Sequence, residues 1–321
     1  MRAAVVRVIG QSPEFGEFPE PKAGPDESVV SMTASAVNPL TLSRAGGVHY
    51  SAHTPTPFVA GVDGVGRTED GRRVFLRETR PPFGTLAERP PSPTAHLIPL
   101  PDGLTDTLAA AVAIPGLSCW GPLVHRAPIR PGESVIVLGA TGAGGRMAIQ
   151  IAKHLGARAV IAMGRSRQKL ATLAEIGADH SIALDQSPEG IRDEVRSAAR
   201  EYQVGVVLDY LWGPSAAAVI AGLGGPDAPR GPTPVRYVQI GAISGPTIAL
   251  ESQILRSSGL EILGSGIGSS TDDEIVESLR GMFAAAASAG FRLDTNVQPI
   301  SEVARLWGST GEEHRLVFSI P

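Results

Sequence analysis

Short apolar runs alternate with segments of helical pattern in the middle of the chain, and this alternation constrains its fold more than any other feature. The predicted strands are 133–138, 158–163, 181–184, 204–208 and 235–240, and the predicted helices between them are 146–155, 168–176, 190–202 and 214–221. Strands that alternate with helices form a parallel sheet with right-handed crossovers. Since these strands are almost wholly apolar, we expect both faces of the sheet to be covered.

The two ends of the chain have a different character. Residues 1–115 contain short β-like runs at 3–8, 28–34 and 73–75, separated by clusters of proline and glycine. This spacing favours a small, irregular β-barrel over helices. Residues 256–321 contain a predicted strand at 260–264, a long helix over 272–289 with Ser270 or Thr271 as its N-cap, and a terminal strand at 315–320.

A glycine-rich turn lies between the first predicted strand and helix of the middle segment. Read as the dinucleotide-binding pattern G-x-G-x-x-G, its register is Ala140, Gly142 and Gly145. A glycine at 142 lets the backbone approach a pyrophosphate, and one at 145 lets the helix pack closely on the strand. A pyrophosphate is favoured there by the free N–H groups and dipole of the helix N-terminus. The alternative is a turn that binds nothing. The predicted contacts are Ala140, Thr141, Gly142, Ala143, Gly144 and Gly145.

The end of the second predicted strand indicates which dinucleotide is bound. Proteins that bind NAD place Asp or Glu there to hold the ribose 2′-hydroxyl, whereas residues 163–169 contain three cations and no acid. Cations oppose the dipole at a helix N-terminus, and a phosphate would explain their presence. The sequence therefore predicts NADPH as the cofactor, although a solvated basic helix start is the alternative. The predicted contacts are Gly164, Arg165, Ser166 and Lys169.

Composition excludes several classes of protein. The chain has 321 residues, of which 42% are hydrophobic and 19% charged, and a net charge of −4, so neither wholesale disorder nor a basic nucleic-acid surface is expected. Cys119 is the one cysteine, which excludes an intramolecular disulfide framework. We find no run of 18 apolar residues and no apolar region of signal-peptide length. The sequence predicts no membrane partner and a cytoplasmic location.

Motifs along nearly the whole chain resemble those of one family. They lie at 36–39, 61–66, 99–104, 114–116, 139–153, 177–179, 206–209 and 314–318. On these motifs the chain resembles the zinc-less members of the medium-chain dehydrogenase/reductase superfamily, in the quinone oxidoreductase (zeta-crystallin-like) group. The resemblance implies an α/β protein with a GroES-like β-barrel catalytic domain over 1–115 and 256–321. A Rossmann domain with a doubly wound parallel sheet would occupy 116–255, cofactor and substrate would lie between the domains, and a homodimer is expected.

The resemblance also implies that no metal is used. Zinc-dependent relatives ligate the catalytic metal with a cysteine and a histidine at positions where this chain has Asn38 and Val62. The four-cysteine zinc lobe of those relatives is missing as well. His49 and His53 have a ligand-like spacing but no obvious third ligand, and we interpret them as surface or substrate-cleft residues.

Further site residues follow from the resemblance alone. Asn38 matches a contact to the nicotinamide ribose, Lys169 matches a lysine that binds the 2′-phosphate, and Arg315 matches a pyrophosphate-binding arginine. Two strand ends are predicted to flank the nicotinamide: Gly241, Ala242 and Ile243, and Gly264, Ser265 and Gly266.

Two alternatives exist for Tyr50 and for Trp212, and one interpretation is given for Asp63. Tyr50 lies in the loop after Asn38 and is either a proton donor or a loop aromatic without a chemical role. Tyr50 and Asn38 are the predicted catalytic residues. Trp212 either covers the adenine or packs on its own domain. Asp63 is interpreted as structural.

The predicted function is transfer of hydride from NADPH to a quinone or a related electron-poor carbonyl acceptor, without zinc. Without a metal to polarise a carbonyl, such a protein suits acceptors that are already electron-poor. One alternative is an enoyl or enone reductase that acts on a metabolite intermediate. A non-catalytic NADPH-binding sensor and a zinc alcohol dehydrogenase are further hypotheses.

Overall fold

The structure is a computed structural model that describes residues 1–49, 52, 54–225, 227–228, 234–309 and 314–321. Its strands, in chain order, are β1 (Arg2–Val6), β2 (Glu14–Glu17), β3 (Glu27–Val29), β4 (Ser31–Ala36), β5 (Phe58–Val59), β6 (Gly64–Arg67), β7 (Arg73–Leu76), β8 (Pro91–Pro93), β9 (Leu97–Pro99), β10 (Ser134–Leu138), β11 (Val160–Gly164), β12 (His180–Ala183), β13 (Val204–Asp209), β14 (Arg236–Gln239), β15 (Glu261–Gly264), β16 (Thr295–Pro299) and β17 (Arg315–Ser319). Its α-helices are α1 (Pro39–Ala45), α2 (Asp106–Gly121), α3 (Ala143–His154), α4 (Arg167–Ala171), α5 (Pro188–Tyr202), α6 (Gly213–Leu223), α7 (Ser252–Ser257), α8 (Asp272–Ala289) and α9 (Val303–Leu306).

The chain divides into two compact units. Unit 1 comprises Met1–Ile114 and Leu279–Pro321, and unit 2 comprises Pro115–Ser278. The sequence placed the second boundary at 255/256, because the strand now seen as β15 was assigned to the terminal segment. In the structure β15 pairs in parallel with β14 and extends the sheet of unit 2, so the boundary lies later.

Unit 2 is built on the predicted parallel sheet. Its strand order is β12-β11-β10-β13-β14-β15, and every pairing in it is parallel. The apolar strands are buried because residues of the helices pack on them: Ile136 and Val207 of the sheet share a core with Val195 of α5 and Val219 of α6. The order reverses at β10, so a crevice is expected outside the carboxyl ends of β10 and its neighbours. The predicted α/β fold is confirmed.

Unit 1 is the predicted irregular β structure, and both ends of the chain contribute to it. Its largest sheet has the order β16-β17-β4-β6-β7-β9, and smaller sheets have the orders β2-β1-β5 and β3-β8. Phe75 of β7 meets Phe283 of α8 edge to face, with ring centroids 5.2 Å apart. Leu86 and Phe318 belong to the same unit and lie in one hydrophobic core. This core joins segments from opposite ends of the chain.

Helix α8 begins where the sequence predicted. The Thr271 hydroxyl accepts a hydrogen bond from the Glu274 backbone N–H at 3.2 Å, and the Glu274 carboxylate accepts one from the Thr271 N–H at 2.8 Å. This reciprocal pair is a capping box, and it identifies Thr271 rather than Ser270 as the N-cap.

Helix α2 was not predicted from the sequence. Apolar residues occupy all sides of it, so it lacks the one-sided pattern by which an amphipathic helix is found, and it also contains Pro115. Together with the π-helical segment Pro122–Arg126 that follows, helix α2 is long and apolar enough to cross a membrane, and an 18-residue window of Asp106–Arg126 has a mean hydropathy of 1.5. Because 56% of that apolar window is buried inside the protein, the segment has the character of a core helix of a globular protein.

Candidate active site

The glycine-rich turn after β10 is tightly folded against its own unit. The backbone N–H groups of Gly139 and Ala140 both donate to the Met163 carbonyl oxygen of β11 at 2.9 Å. A Cβ atom placed on Gly145 would lie 2.4 Å from the Ala140 Cα atom, so no larger residue fits there without moving the backbone. Gly145 therefore permits the close packing of helix on strand that the sequence predicted.

Gly142 differs from Gly144 and Gly145, because no close contact with the described residues requires a glycine there. Its backbone is extended (φ −80°, ψ 170°), and an added Cβ atom would meet only the Gly139 carbonyl oxygen, at 3.8 Å. At Gly144, by contrast, an added Cβ atom would lie 2.9 Å from the Tyr210 ring. Gly142 is the N-cap of α3, whose first N–H groups have no partner within the helix. The space beside Gly142 is thus open, and it adjoins donors suited to an anion.

The segment after β11 carries the predicted cations, and they are not equivalent. Arg167 forms a bidentate ion pair with Asp185, at 2.9 and 3.1 Å. Ser166 caps α4 by accepting a hydrogen bond from the Lys169 backbone N–H at 3.3 Å. Arg165 is exposed and has no hydrogen bond or ion pair to any residue that the structure describes. Arg165 is therefore the cation that is available to a phosphate.

The turn after β10 and the end of β11 lie side by side. A Cβ atom on Gly164 would come within 2.9 Å of the Thr141 Cγ2 atom. The two predicted contact segments, one for a pyrophosphate and one for a 2′-phosphate, thus share one edge of the sheet. This adjacency follows from the parallel pairing of β10 and β11.

The two strand ends predicted to flank a nicotinamide also lie together. Gly264, at the end of β15, is paired with Gln239 of β14, and Ala242 follows shortly after β14. A cavity of about 310 Å³ lies at this edge of unit 2, and its lining includes Ala242 and Gly264. Ile243 points away from the interior, with 76% of its surface exposed.

The remaining predicted residues of these two segments are held by local bonds. The Ser265 backbone N–H donates to the Gln239 carbonyl oxygen at 2.8 Å. The Gly266 N–H donates to the Ser269 hydroxyl at 2.8 Å, and the Gly241 N–H donates to the Asp209 carbonyl oxygen at 3.1 Å. Both segments are therefore ordered by the unit itself.

Asp209 organises the loop after β13, a role that was not assigned from the sequence. Its Oδ1 atom accepts hydrogen bonds from the backbone N–H groups of Leu211 and Trp212 at 2.8 and 3.0 Å, and its Oδ2 atom accepts one from the Tyr237 hydroxyl at 2.8 Å. Burial raises the pKa of this carboxyl, although the same hydrogen bonds act in the opposite direction. Trp212 packs beside Tyr237, with ring centroids 6.4 Å apart. Trp212 thus packs on its own unit, and its contact with an adenine stays a prediction.

In unit 1, Asn38 is fully buried and bonded at both ends of its amide. Its Oδ1 atom accepts hydrogen bonds from the Thr41 N–H at 2.8 Å and the Thr41 hydroxyl at 3.1 Å, which caps α1. Its Nδ2 atom donates to Asp63 Oδ1 at 3.0 Å. Asn38 therefore positions the start of α1, and its role toward a nicotinamide ribose stays a prediction.

Asp63 is a buried carboxyl whose charge is only partly compensated. It is 1% exposed, and its Oδ2 atom has no hydrogen-bond partner among the described residues. Burial raises the pKa of Asp63 to about 7, against the lowering effects of Arg315, Asn38 and Arg44. Burial likewise lowers the pKa of Arg315 to about 10. The structural role expected for Asp63 matches this environment, whereas pyrophosphate binding by Arg315 stays a prediction.

A second cavity, of about 270 Å³, lies within unit 1. Its lining includes Thr41, Arg44 and Phe58, as well as Ala52 and Thr54 of the loop after α1. The predicted proton donor Tyr50, and also His53, lie outside the described residues. Burial, followed by the charge of Arg44, lowers the pKa of His49.

The residues at the positions of a catalytic zinc do not fit that metal. Val62 has no donor atom, and the Asn38 amide is already bonded to Thr41 and Asp63. Over the described ranges, no three His, Cys, Asp or Glu side chains come together in a group that could hold a metal ion. No step of the chemistry is therefore assigned to zinc.

We expect the Cys119 thiol to be unreactive in the folded protein. The side chain is fully buried, and burial raises its pKa to about 12, so the thiolate is scarce at pH 8. Treatment with a thiol reagent at pH 8 should label no cysteine in the native protein and one after unfolding. Rapid labelling of the native protein by one equivalent would contradict this environment.

Comparisons with known proteins agree on one family. Residues 144–284 match the model of the zinc-binding dehydrogenase family. A probable NADPH-dependent quinone reductase of Emericella nidulans is 27% identical over the full length of both chains. A chloroplastic NADPH-dependent alkenal/one oxidoreductase of Arabidopsis thaliana is 28% identical over 54% of this chain and 48% of its own. The crystal structure of a quinone oxidoreductase from Thermus thermophilus, also solved with NADPH, is similar over the full length of both chains, with 28% identity and a TM-score of 0.81.

The share of each relative that is covered varies. The chain covers 100% of the Emericella protein but only 9 to 10% of three mycobacterial polyketide synthase chains with which it also aligns. The family model lies mainly in unit 2, which holds the parallel sheet.

Proposed function

The chain belongs to the quinone oxidoreductase group of the medium-chain dehydrogenase/reductase superfamily, and from this premise we propose that it reduces a quinone with NADPH and without zinc. The observation that carries the proposal is the pairing of two features at one sheet edge. Gly142 leaves open space at the N-terminus of α3, and one strand away Arg165 offers a cation that no described residue pairs. This arrangement suits a pyrophosphate followed by a 2′-phosphate.

The donor set fits NADPH better than NADH. Residues 163–169 contain no carboxylate that could accept a hydrogen bond from a ribose 2′-hydroxyl. Arg165 is a planar cation that can form two charge-assisted hydrogen bonds to a phosphate. Bound NADPH would supply the hydride, and the protein's residues would hold its phosphates and orient its ring.

The proposed substrate class rests on the two positions at which zinc-dependent relatives carry metal ligands. With Asn38 and Val62 in place of metal-binding side chains, carbonyl polarisation by zinc is not part of the proposal. Electron-poor acceptors need less polarisation, so quinones are the proposed class and positioning is the protein's main contribution. Enones are a second candidate, which the similarity to the Arabidopsis alkenal/one oxidoreductase favours.

The test is oxidation of NADPH, followed by absorbance in the presence of a chelator, against a panel of quinones and enones. Turnover of quinones with NADPH but little with NADH is the expected result. Turnover of enones alone would contradict quinone reduction and support reduction of a carbon–carbon double bond instead. Tight NADPH binding without turnover of any acceptor would overturn the enzymatic proposal in favour of a sensor.

Arg165→Ala should raise the KM for NADPH while leaving the kcat and the kinetics with NADH unchanged. Loss of a charge-assisted hydrogen bond to a phosphate costs about 1.5–3 kcal/mol, so the KM should rise about tenfold or more. Arg167→Ala is the matched control, because Arg167 is already paired with Asp185 and its replacement should change the KM less than about twofold. An equal change in the KM for NADPH in the two variants would contradict binding of the 2′-phosphate by Arg165.

A further inference from the structure

Trp212 has a backbone conformation that side chains rarely adopt. Its φ is 55° and its ψ is −157°, close to a region that is essentially restricted to glycine. Among the described residues other than glycine, only Gln203 also has a positive φ, and Gln203 lies in the milder left-handed helical region. A tryptophan at this position is therefore strained, and the strain calls for a physical reason.

The surroundings hold Trp212 in this conformation. Asp209 accepts hydrogen bonds from the N–H groups of Leu211 and Trp212, and the Leu211 carbonyl oxygen accepts one from the Ser244 N–H at 2.7 Å. A Cβ atom on Gly213 would lie 2.7 Å from the Ser244 carbonyl oxygen, so the loops after β13 and β14 pack backbone to backbone. A glycine at 212 would adopt the same conformation without strain, yet the residue there is tryptophan, which has the largest side chain of all.

The indole of Trp212 forms one wall of the cavity of about 310 Å³ at the ends of β14 and β15. The other lining residues include Ala242 and Gly264, which are small, and Ile262 and Leu263, which are apolar. A dry cavity of about 150 Å³ holds a benzene ring, so this volume accommodates one substituted ring. The cavity combines a fixed aromatic wall with space of the size of a ring.

We propose, building on the function proposed above, that Trp212 is a specificity-determining residue whose indole receives a planar, electron-poor ring in this cavity. An indole has an electron-rich face, and aromatic rings attract one another in offset or edge-to-face arrangements. A quinone ring and a nicotinamide ring share the required chemistry. The strain at Trp212 is then retained because the ring contact needs an aromatic side chain that glycine lacks.

The strain itself is tested by comparing Trp212→Gly with Trp212→Ala. Both variants lose the indole, but only glycine relaxes the backbone, so Trp212→Gly should have a Tm higher than Trp212→Ala by about 2 to 6 °C. This order is the reverse of that at an unstrained position, where alanine is the more stabilising residue. Gln203→Gly is the control for a positive-φ position outside the cavity and should leave ligand affinity unchanged. A Tm for Trp212→Ala equal to or above that of Trp212→Gly would contradict the claim that the backbone at position 212 is strained.

The ring contact is tested by calorimetric titration of the wild type, Trp212→Ala and Trp212→Phe. The ligands are NADP⁺, 2′-phospho-ADP-ribose, which lacks the nicotinamide ring, and a substituted 1,4-benzoquinone. Trp212→Ala should raise the Kd of a ring-bearing ligand about fivefold, and Trp212→Phe should restore it. The Kd of 2′-phospho-ADP-ribose should stay within about twofold of wild type in both variants.

Comparison of the three ligands shows which ring, the nicotinamide or the quinone, contacts Trp212. A raised Kd for NADP⁺ alone assigns the cavity to the nicotinamide, and a raised Kd for the quinone alone assigns it to the acceptor. Unchanged values for both ligands, or an equal loss for 2′-phospho-ADP-ribose, would overturn the proposal. Because these titrations need no turnover, failure of the wild type to oxidise NADPH would count against the proposed function and not against the ring contact.

Discussion

Gly145→Ala is expected to destabilise unit 2 strongly, whereas Gly142→Ala should leave the fold intact and weaken NADPH binding. An alanine Cβ at 145 would lie 2.4 Å from both the Ala140 Cα atom and the Gly139 carbonyl oxygen. That backbone cannot retreat without breaking its two hydrogen bonds to Met163 of β11. Overpacking against a fixed backbone costs about 3 kcal/mol or more, which thermal unfolding of the two variants would measure.

Gly142→Ala is the matched control in the same turn. Its φ of −80° suits alanine, and the added methyl group has open space, so we expect an unchanged or slightly higher Tm. The methyl group would stand where a pyrophosphate approaches the backbone, and the Kd of NADPH should rise about tenfold. Retention of full NADPH affinity by Gly142→Ala would place the pyrophosphate elsewhere. A Tm for Gly145→Ala like that of wild type would contradict the packing described here.

Arg315→Met should destabilise unit 1 in a way that grows as the pH rises through about 7. Asp63 is buried and Arg315 is partly buried, and the positive charge of Arg315 lowers the pKa of Asp63 from the value that burial alone would produce. No ion pair joins the two side chains directly, so the cost is that of leaving a buried carboxylate without a compensating charge, about 1–3 kcal/mol. At pH 8 the Asp63 carboxylate is ionised and the full cost is expected. At pH 5 the carboxyl is protonated in the folded protein, and the substitution should cost little.

The sign of the pH effect can be checked in the wild type as well. The pKa of Asp63 is about 7 in the folded protein and near 3.8 in the unfolded chain, so the folded state binds its proton more tightly. The contribution of Asp63 to the free energy of unfolding therefore decreases as the pH rises from about 4 to about 7 and is constant above that range. Asp63→Asn should abolish this slope.

Denaturant titrations at pH 5 and pH 8 would measure both effects. Arg7→Met provides the control, because Arg7 and its partner Glu14 are 54% and 66% exposed and such pairs contribute less than about 1 kcal/mol. Arg7→Met should have the same small effect at the two pH values. A cost of Arg315→Met that does not depend on pH would show that Asp63 and Arg315 are not electrostatically coupled.

Features that depend on neighbouring residues could be predicted from the sequence. The alternation of apolar runs and helices predicted the parallel sheet, and the spacing of glycines at 142 and 145 predicted the tight turn. The start of α8 was predicted to within a residue by its capping residue, Thr271. Helix α2 was missed because its apolar residues occupy every side and no periodic pattern marks it.

Features that depend on contacts between distant segments could not be predicted from the sequence. β15 joins unit 2 because it pairs with β14, and no local signal separates an added sheet strand from the start of a new domain. The three cations after β11 look alike in the sequence, and the ion pair of Arg167 with Asp185 is what distinguishes Arg167 from Arg165.

The strand–helix order of unit 2 and the glycine-rich turn can be read from the amino-acid sequence, because periodicity and steric limits act over a few residues. Only the folded structure shows that the charge of Arg315 acts on Asp63, that Arg165 has no partner among the described residues, and that Trp212 forms a cavity wall in a strained conformation. Each of these depends on burial or on a hydrogen bond between segments that are remote in the chain. The electrostatic and steric consequences of such contacts arise only when the chain has folded.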